Sequence, residues 1–152
     1  MSEHCPQDGG FIGDAGCTHP NHEHSELVKS IMSGSPRMIS EADASAALKE
    51  GFYVPNPNGK RVGFGEDLLK HIEGDTAHGE NDIVERKRRL MFAVDTVQHP
   101  DKIETNHRNI PGRSAYAKAF DGFGILAITG PGKDTIDKVY TYFPRRSGKK
   151  KP

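Results

Sequence analysis

Apolar side chains recur with a helical period in four stretches of the first two thirds of this chain, three and four positions apart. The stretches are residues 26–32, 41–50, 66–73 and 81–98. Ser25 and Ser40 stand directly before the first two and can accept a hydrogen bond from the backbone of the first turn. Gly51 and Pro100 follow the second and fourth, where helices commonly stop. The pattern therefore predicts four helices, of which the last is the longest.

Runs rich in β-branched and aromatic residues, bounded by glycine and proline, predict strands in the rest of the chain. The runs are residues 52–54, 61–65, 102–108, 114–120, 124–128 and 138–143. The first two flank Asn58-Gly59, a pair that suits the tight turn of a hairpin. Helices followed by consecutive strands indicate an α+β fold. We therefore expect helices packed on a four- or five-stranded antiparallel sheet.

The length of 152 residues suits one domain with extensions, because a single core needs roughly 100 residues to offset chain entropy. We predict a single α+β domain over residues 25–145, with an irregular leader that contains His and Cys over residues 1–24 and a basic, disordered tail over residues 146–152. No apolar run approaches the roughly 18 residues of a membrane helix, and the polar amino terminus does not resemble a signal peptide. We therefore expect a cytoplasmic protein, or one that is delivered into the cytoplasm of a target cell.

Charge is distributed unevenly along the chain, although the formal net charge is zero. Residues 108–152 carry ten bases and three acids, a net charge of +7, whereas residues 1–36 carry five acids and one base. A local excess of Lys and Arg is typical of proteins that bind a polyanion, because phosphate contacts release condensed counterions. The alternative is a solvated basic tail without a partner.

The leader contains thiol and imidazole groups that suit a structural zinc ion, whose tetrahedral sites take both. The candidate ligands are Cys5, Cys17, His19 and His22, with His24 close by. Their spacing does not match a zinc finger, in which two ligand pairs are separated by about a dozen residues. A His-rich leader without metal is the alternative.

The order of several short motifs resembles the phage-associated nucleases of the barnase/EndoU/colicin/RelE fold. The motifs are His71-Ile72 on a helix, His99-Pro100-Asp101 after a helix, Tyr116-Ala117-Lys118 on a strand, Ile125 to Thr129 on an apolar strand, and Thr141 in the last strand. The resemblance covers roughly residues 60–145. It implies an endoribonuclease that cleaves RNA, tRNA included, by attack of the ribose 2′-hydroxyl on the adjacent phosphorus, without a metal or other cofactor. It also implies a cognate inhibitor protein.

The resemblance points to His71, Lys118 and Thr141 as catalytic residues. An imidazole can accept and donate a proton near neutral pH, an ammonium group stabilises developing negative charge, and a hydroxyl can bond a non-bridging phosphate oxygen. Each has a structural alternative: a histidine at the edge of the core, an exposed strand lysine, or a threonine bonded to its neighbouring strand. The second acid–base group stays unassigned.

Further residues around the last strands are candidates for substrate binding. Arg113, Arg108 and His107 can clamp phosphates, and Tyr142 or its neighbour Tyr140 can stack a base. Strand alternation predicts that both tyrosines point away from the face of Thr141. A solvated role for the bases and a core role for the tyrosines are the alternatives.

A second hypothesis is a non-catalytic RNA- or protein-binding module with a zinc-stabilised amino terminus. A third class, ADP-ribosyltransferases, is disfavoured because their Glu-x-Glu element is missing from the carboxy-terminal half. Cleavage of RNA separates the first hypothesis from the second.

Overall fold

The structure is a computed structural model that describes residues 24–75, 79–132 and 136–146, with residue 146 described by its backbone alone. In chain order the elements are α1 (Glu26–Ser33), α2 (Glu41–Glu50), β1 (Phe52–Pro55), β2 (Arg61–Phe64), α3 (Glu66–Gly74), α4 (Glu80–Arg88), α5 (Leu90–Gln98), β3 (Lys102–Thr105), β4 (Ser114–Phe120), β5 (Phe123–Pro131) and β6 (Asp137–Arg146). The α+β class predicted from the sequence is confirmed.

The first two helices begin at the serines that the sequence indicates. The Ser25 hydroxyl accepts a hydrogen bond from Val28 N at 3.2 Å, and the Ser40 hydroxyl accepts one from Asp43 N at 3.0 Å. Each bond satisfies a backbone donor that the first turn of a helix leaves free. Gly51 ends α2 with a φ of 79°, a conformation that favours glycine.

The predicted helix over residues 81–98 is wrong in one respect, because it is broken into α4 and α5 at Arg89. This residue has φ −97° and ψ 18°, and its N–H bonds to the carbonyls of Arg86 and Lys87 instead of continuing the ladder. The two halves bury different chemistry: α4 buries the bases Arg86 and Lys87, whereas most of α5 is buried and apolar.

In the part of the chain that the structure describes, the sheet has six strands in the order β1-β2-β6-β5-β4-β3. The predicted antiparallel sheet of four or five strands is therefore corrected: the β1–β2 hairpin joins the sheet, and β2 runs parallel to β6. That pairing involves only Val62 with Asp137 and Gly63 with Lys138, too short a contact to leave a periodic signal in the sequence. Strand β3 also ends at Thr105, earlier than expected, because Asn106 has a left-handed φ of 51°.

The two faces of the sheet have different surroundings. Alternate side chains, among them Tyr116, Ile125, Ala127 and Tyr142, join the core cluster together with apolar residues of the helices, and α5 contacts β1, β4 and β5. The side chains between them point the other way, to what we call the outer face. The part of the chain that the structure describes contains no helix long and apolar enough to cross a membrane.

A β-bulge in β6 changes which side chains reach the outer face. Thr141 pairs with Ile128 and Val139 pairs with Thr129, so Tyr140 is an extra residue between two consecutive pairs. Thr141 and Tyr140 consequently both lie on the outer face, whereas Tyr142 lies in the core. The expectation that the two tyrosines share one face is therefore wrong.

Candidate functional site

Tyr140 lies on the outer face between two cations. A Cβ atom at Gly130 would lie 2.7 Å from Cε2 of Tyr140, so the ring covers this glycine. The ring is held by its hydroxyl, which donates to Pro131 O at 3.0 Å. Arg113 Cζ lies 5.1 Å and Lys138 Nζ 5.4 Å from the ring centroid, close enough for cation–π attraction. We call Tyr140, Arg113 and Lys138 the cation–tyrosine cluster.

The loop from β3 to β4 brings the other predicted phosphate ligands to the same end of the outer face. His107 N donates to Arg113 O at 2.8 Å, which ties the two ends of the loop together. Three side-chain-bearing residues of this loop, Asn106, Arg108 and Asn109, have φ between 51° and 61°. Such backbone costs energy for residues other than glycine and is often retained at functional sites. The loop thus holds Arg108 in an exposed position, one residue after the His107 N–H that bonds Arg113 O.

Thr141 lies next to the cluster and is held by a buried arginine. Arg86 extends from α4 to the edge of β6 that β2 leaves unpaired, and it is only 2% exposed. Its Nη2 donates to Thr141 Oγ1 at 2.7 Å, its Nε to Tyr142 O at 3.0 Å, and its Nη1 to Asp75 Oδ2 at 2.8 Å. Because the threonine oxygen accepts from the guanidinium, its own proton can be donated outward.

His71 is exposed on α3, at the side of the helix that faces β6. Four residues earlier, Asp67 accepts a hydrogen bond from Lys138 Nζ at 2.8 Å. Four residues later, Asp75 bonds Arg86, which in turn holds β6. Residues four apart share one side of a helix. His71 therefore lies between two points at which α3 is tied to the strand of Thr141.

Lys118 does not lie with the other two predicted catalytic residues. It shares the face of Tyr116 and points toward the helices, where its Nζ donates to Asp95 Oδ2 of α5 at 2.6 Å. Both side chains are largely buried, with 22% and 17% exposure. Strand spacing puts its Cα roughly 14 Å from that of Thr141, on the opposite face. The catalytic role of Lys118 stays a prediction that this geometry does not favour.

Tyr142, predicted to bind substrate, is completely buried. Its hydroxyl donates to Arg86 O at 2.7 Å, and burial raises the pKa of this phenol above its usual range. The ring cannot contact RNA from this position, because the core surrounds it. Of the two neighbouring tyrosines, Tyr140 is the one that a ligand on the outer face can reach.

Two residues of this site, Arg86 and Lys138, were not among the sequence candidates. For Arg86 a signal was present, because it lies three residues after Ile83 and four before Leu90, on the apolar stripe of the predicted helix. A charged side chain on such a stripe is buried and needs polar partners. For Lys138 no pattern in the sequence reveals that Tyr140 and Asp67 lie beside it.

The predicted zinc ligands Cys5, Cys17, His19 and His22 lie outside the described residues. Across residues 24–75, 79–132 and 136–146, no three or more His, Cys, Asp or Glu side chains form a group that could hold a metal ion. The neighbouring His24 is described, and its Nδ1 lies 3.0 Å from Glu50 Oε2.

The chain was compared with models of protein families, with curated proteins and with solved structures, and no match was found in any of the three.

Proposed function

We propose that this protein is a metal-independent endoribonuclease that cleaves RNA, with tRNA as one candidate substrate, by attack of the ribose 2′-hydroxyl on the adjacent phosphorus. One observation carries the proposal: the cation–tyrosine cluster and Thr141 lie side by side on the outer face, and the helix of His71 is tied to the same strand through Lys138 and Arg86. Bases beside an accessible aromatic ring are typical of surfaces that bind single-stranded nucleic acid. The family resemblance suggests the reaction, and this grouping of side chains supports the proposal.

His71 is the proton-transfer group in this proposal. Transesterification removes a proton from the 2′-hydroxyl and returns one to the departing 5′-oxygen. An exposed imidazole can accept or donate a proton near neutral pH and can therefore perform one of these steps. Its position on α3, beside β6, lets a ribose bound on the outer face approach it.

Thr141 is the proposed hydrogen-bond donor to a non-bridging phosphate oxygen. Its hydroxyl already accepts a 2.7 Å hydrogen bond from Arg86, which directs the hydroxyl proton elsewhere. The neighbouring positive charge polarises the O–H bond and strengthens its donation to an anion. Arg86 acts through Thr141 and does not itself contact the substrate.

Arg113 and Lys138 are the proposed cations for the phosphorane, in place of Lys118. Both flank Tyr140 on the outer face, whereas Lys118 pairs with Asp95 beneath the helices. The pair of Lys138 with Asp67 is partly exposed, at 38% and 76%. A surface pair of this kind contributes little stability, so a phosphate can replace the carboxylate at low cost.

A binding module without catalysis is the second candidate, and the position of Lys118 favours it. One of the three predicted catalytic groups is separated from the outer face, while the bases and the aromatic ring needed for binding remain. Such a module would bind RNA with the same residues and leave it intact.

Incubation of the full chain with total RNA in EDTA, followed by sequencing of new ends, tests the proposal. Products that carry a 2′,3′-cyclic phosphate are expected, and His71→Ala should slow their formation by about 100-fold or more. His99→Ala is the matched control, because His99 is an exposed histidine at the end of α5 and should leave the rate unchanged.

Three results would contradict parts of this proposal. RNA that stays intact while it binds the protein supports the second candidate. Cleavage that stops in EDTA contradicts metal independence. Equal cleavage by the parent chain and by His71→Ala removes His71 from the reaction.

A further inference from the structure

A row of side chains crosses the outer face at right angles to the strands. Tyr53 of β1 pairs with Gly63 of β2, Gly63 pairs with Lys138 of β6, and Lys138 pairs with Gly130 of β5. Four strands thus place these residues next to one another in one line. Arg113 extends the line, because it directly precedes Ser114, whose partner is Thr129.

Both glycines of this row lie beneath a tyrosine ring. A Cβ atom at Gly63 would lie 3.2 Å from Cε1 of Tyr53, and a Cβ atom at Gly130 would lie 2.7 Å from Cε2 of Tyr140. Neither glycine has the positive φ that would demand this residue for backbone reasons. At both positions the absence of a side chain therefore allows an aromatic ring to approach the backbone closely.

The spacing of the two rings fits successive contacts with one extended chain. One ring covers β2 and the other covers β5, two strands further along the sheet. Two strand spacings amount to roughly 10 Å, and the ammonium group of Lys138 comes from the strand between them. A base can stack at each ring while Lys138 and Arg113 neutralise the phosphates that link the stacked nucleotides.

We propose that this row, Tyr53–Lys138–Tyr140–Arg113, is a binding site for single-stranded RNA that reads no particular sequence. Duplex RNA cannot use it, because paired bases are not free to stack on the rings. The inference rests on the proposed function for the kind of polymer that binds. It goes beyond that function by adding Tyr53 and by limiting the substrate to unpaired segments.

The test measures binding of the full chain to a fluorescein-labelled 2′-O-methyl oligouridine of twelve nucleotides by fluorescence anisotropy. The blocked 2′-oxygen prevents transesterification, so the outcome does not depend on catalysis. Tyr140→Leu and Tyr53→Leu should each weaken binding at least about fivefold, the lower end for one lost stacking contact. Tyr140→Phe keeps the ring and should bind within roughly twofold of the parent chain, since stacking uses the ring face.

Phe143→Leu is the matched control, because Phe143 is an aromatic residue on the same face, 36% exposed, but outside the row. Its substitution should leave the dissociation constant unchanged. Circular dichroism and thermal unfolding establish that each variant is folded before its affinity is compared.

Several results would overturn the inference. They are unchanged binding by both tyrosine-to-leucine variants, an equal loss in Phe143→Leu, duplex RNA of the same length bound as tightly as the single strand, or no binding by the parent chain. Binding that depends on the row without cleavage of natural RNA would leave this site standing and remove the nuclease proposal. Cleavage of natural RNA that does not depend on the row would remove this binding site and leave the nuclease proposal standing.

Discussion

At the scale of single residues, position 130 requires a glycine, because the ring of Tyr140 occupies the space that a side chain would need. An alanine Cβ there would meet ring atoms of Tyr140 at 2.7 and 2.8 Å, distances that real contacts avoid. Gly130→Ala should therefore displace the tyrosine ring and weaken binding of single-stranded RNA about as much as Tyr140→Leu does. Anisotropy measurements on both variants check this expectation. Gly74→Ala is the control, because nothing lies within 4 Å of the added Cβ, and unchanged affinity in Gly130→Ala would contradict the described packing.

Glu50 gives a prediction about pH at the same scale. Partial burial raises the pKa of Glu50, but hydrogen bonds from Ser25 and from His24, with the attraction of His24, outweigh it and hold the pKa below its usual value. A carboxyl group with a lowered folded-state pKa contributes stability above its unfolded value, about 4.3, and loses it as the pH falls through the folded value. Glu50→Gln should therefore lower the free energy of unfolding at pH 7 by about 0.5 kcal/mol, as for a partly exposed pair.

Urea denaturation at several pH values measures this difference. The gap between the parent chain and Glu50→Gln should close as the pH falls from the unfolded pKa of about 4.3 through the lowered folded-state pKa, below which the carboxyl group is neutral in both states. A gap that stays constant down to pH 3 would show that the contribution of Glu50 does not depend on its charge.

At the scale of elements, Arg86 joins α4, the end of α3 and the free edge of β6. Arg86→Met keeps much of the side-chain volume but removes the hydrogen bonds that Arg86 donates to Asp75 and to the β6 carbonyl of Tyr142. Removing one partner of a buried charged network costs about 2–4 kcal/mol. We expect a loss of that size in urea denaturation. Arg88→Met, on the same helix but 44% exposed, should change stability by less than about 0.5 kcal/mol, and similar losses in both would contradict the coupling role.

The elements also show what the sequence can predict and what it cannot. Helix ends that depend on neighbouring residues can be predicted from the sequence, and Ser25, Ser40 and Gly51 mark such ends correctly. Alternation also predicts that Lys118 shares the face of Tyr116, but it does not tell which face the helices will cover. That choice depends on packing between distant segments, as does the two-residue parallel contact of β2 with β6. The bulge at Tyr140 depends on hydrogen bonds between two strands. No local sequence pattern therefore predicts which tyrosine reaches the outer face.

At the scale of the whole molecule, the basic side chains on the two faces of the sheet differ in their contacts. Buried or half-buried bases on the helical side are paired, as Lys87 is with Glu73 and Lys118 with Asp95. On the outer face, Arg113 and Lys138 pack against the ring of Tyr140, and Lys138 also forms a partly exposed pair with Asp67. Since the net charge of the chain is zero, the proposed binding of RNA depends on where the bases lie rather than on the total charge.

The salt dependence of binding distinguishes arrangement from total charge. Each phosphate contact with a single strand contributes about 0.7 to the slope of the logarithm of affinity against the logarithm of salt concentration. Replacing Arg113 and Lys138 together by Ser should lower that slope by about 1.4, because two contacts are lost. Replacing Lys29 of α1 and Lys49 of α2 by Ser removes the same total charge. This change should leave the slope nearly unchanged, because both bases belong to helices and not to the outer face of the sheet. Titrations of the 2′-O-methyl oligouridine over a range of salt concentrations measure both slopes. Equal reductions in the two double variants would mean that RNA responds only to net charge, and a binding site confined to the outer face would then be ruled out.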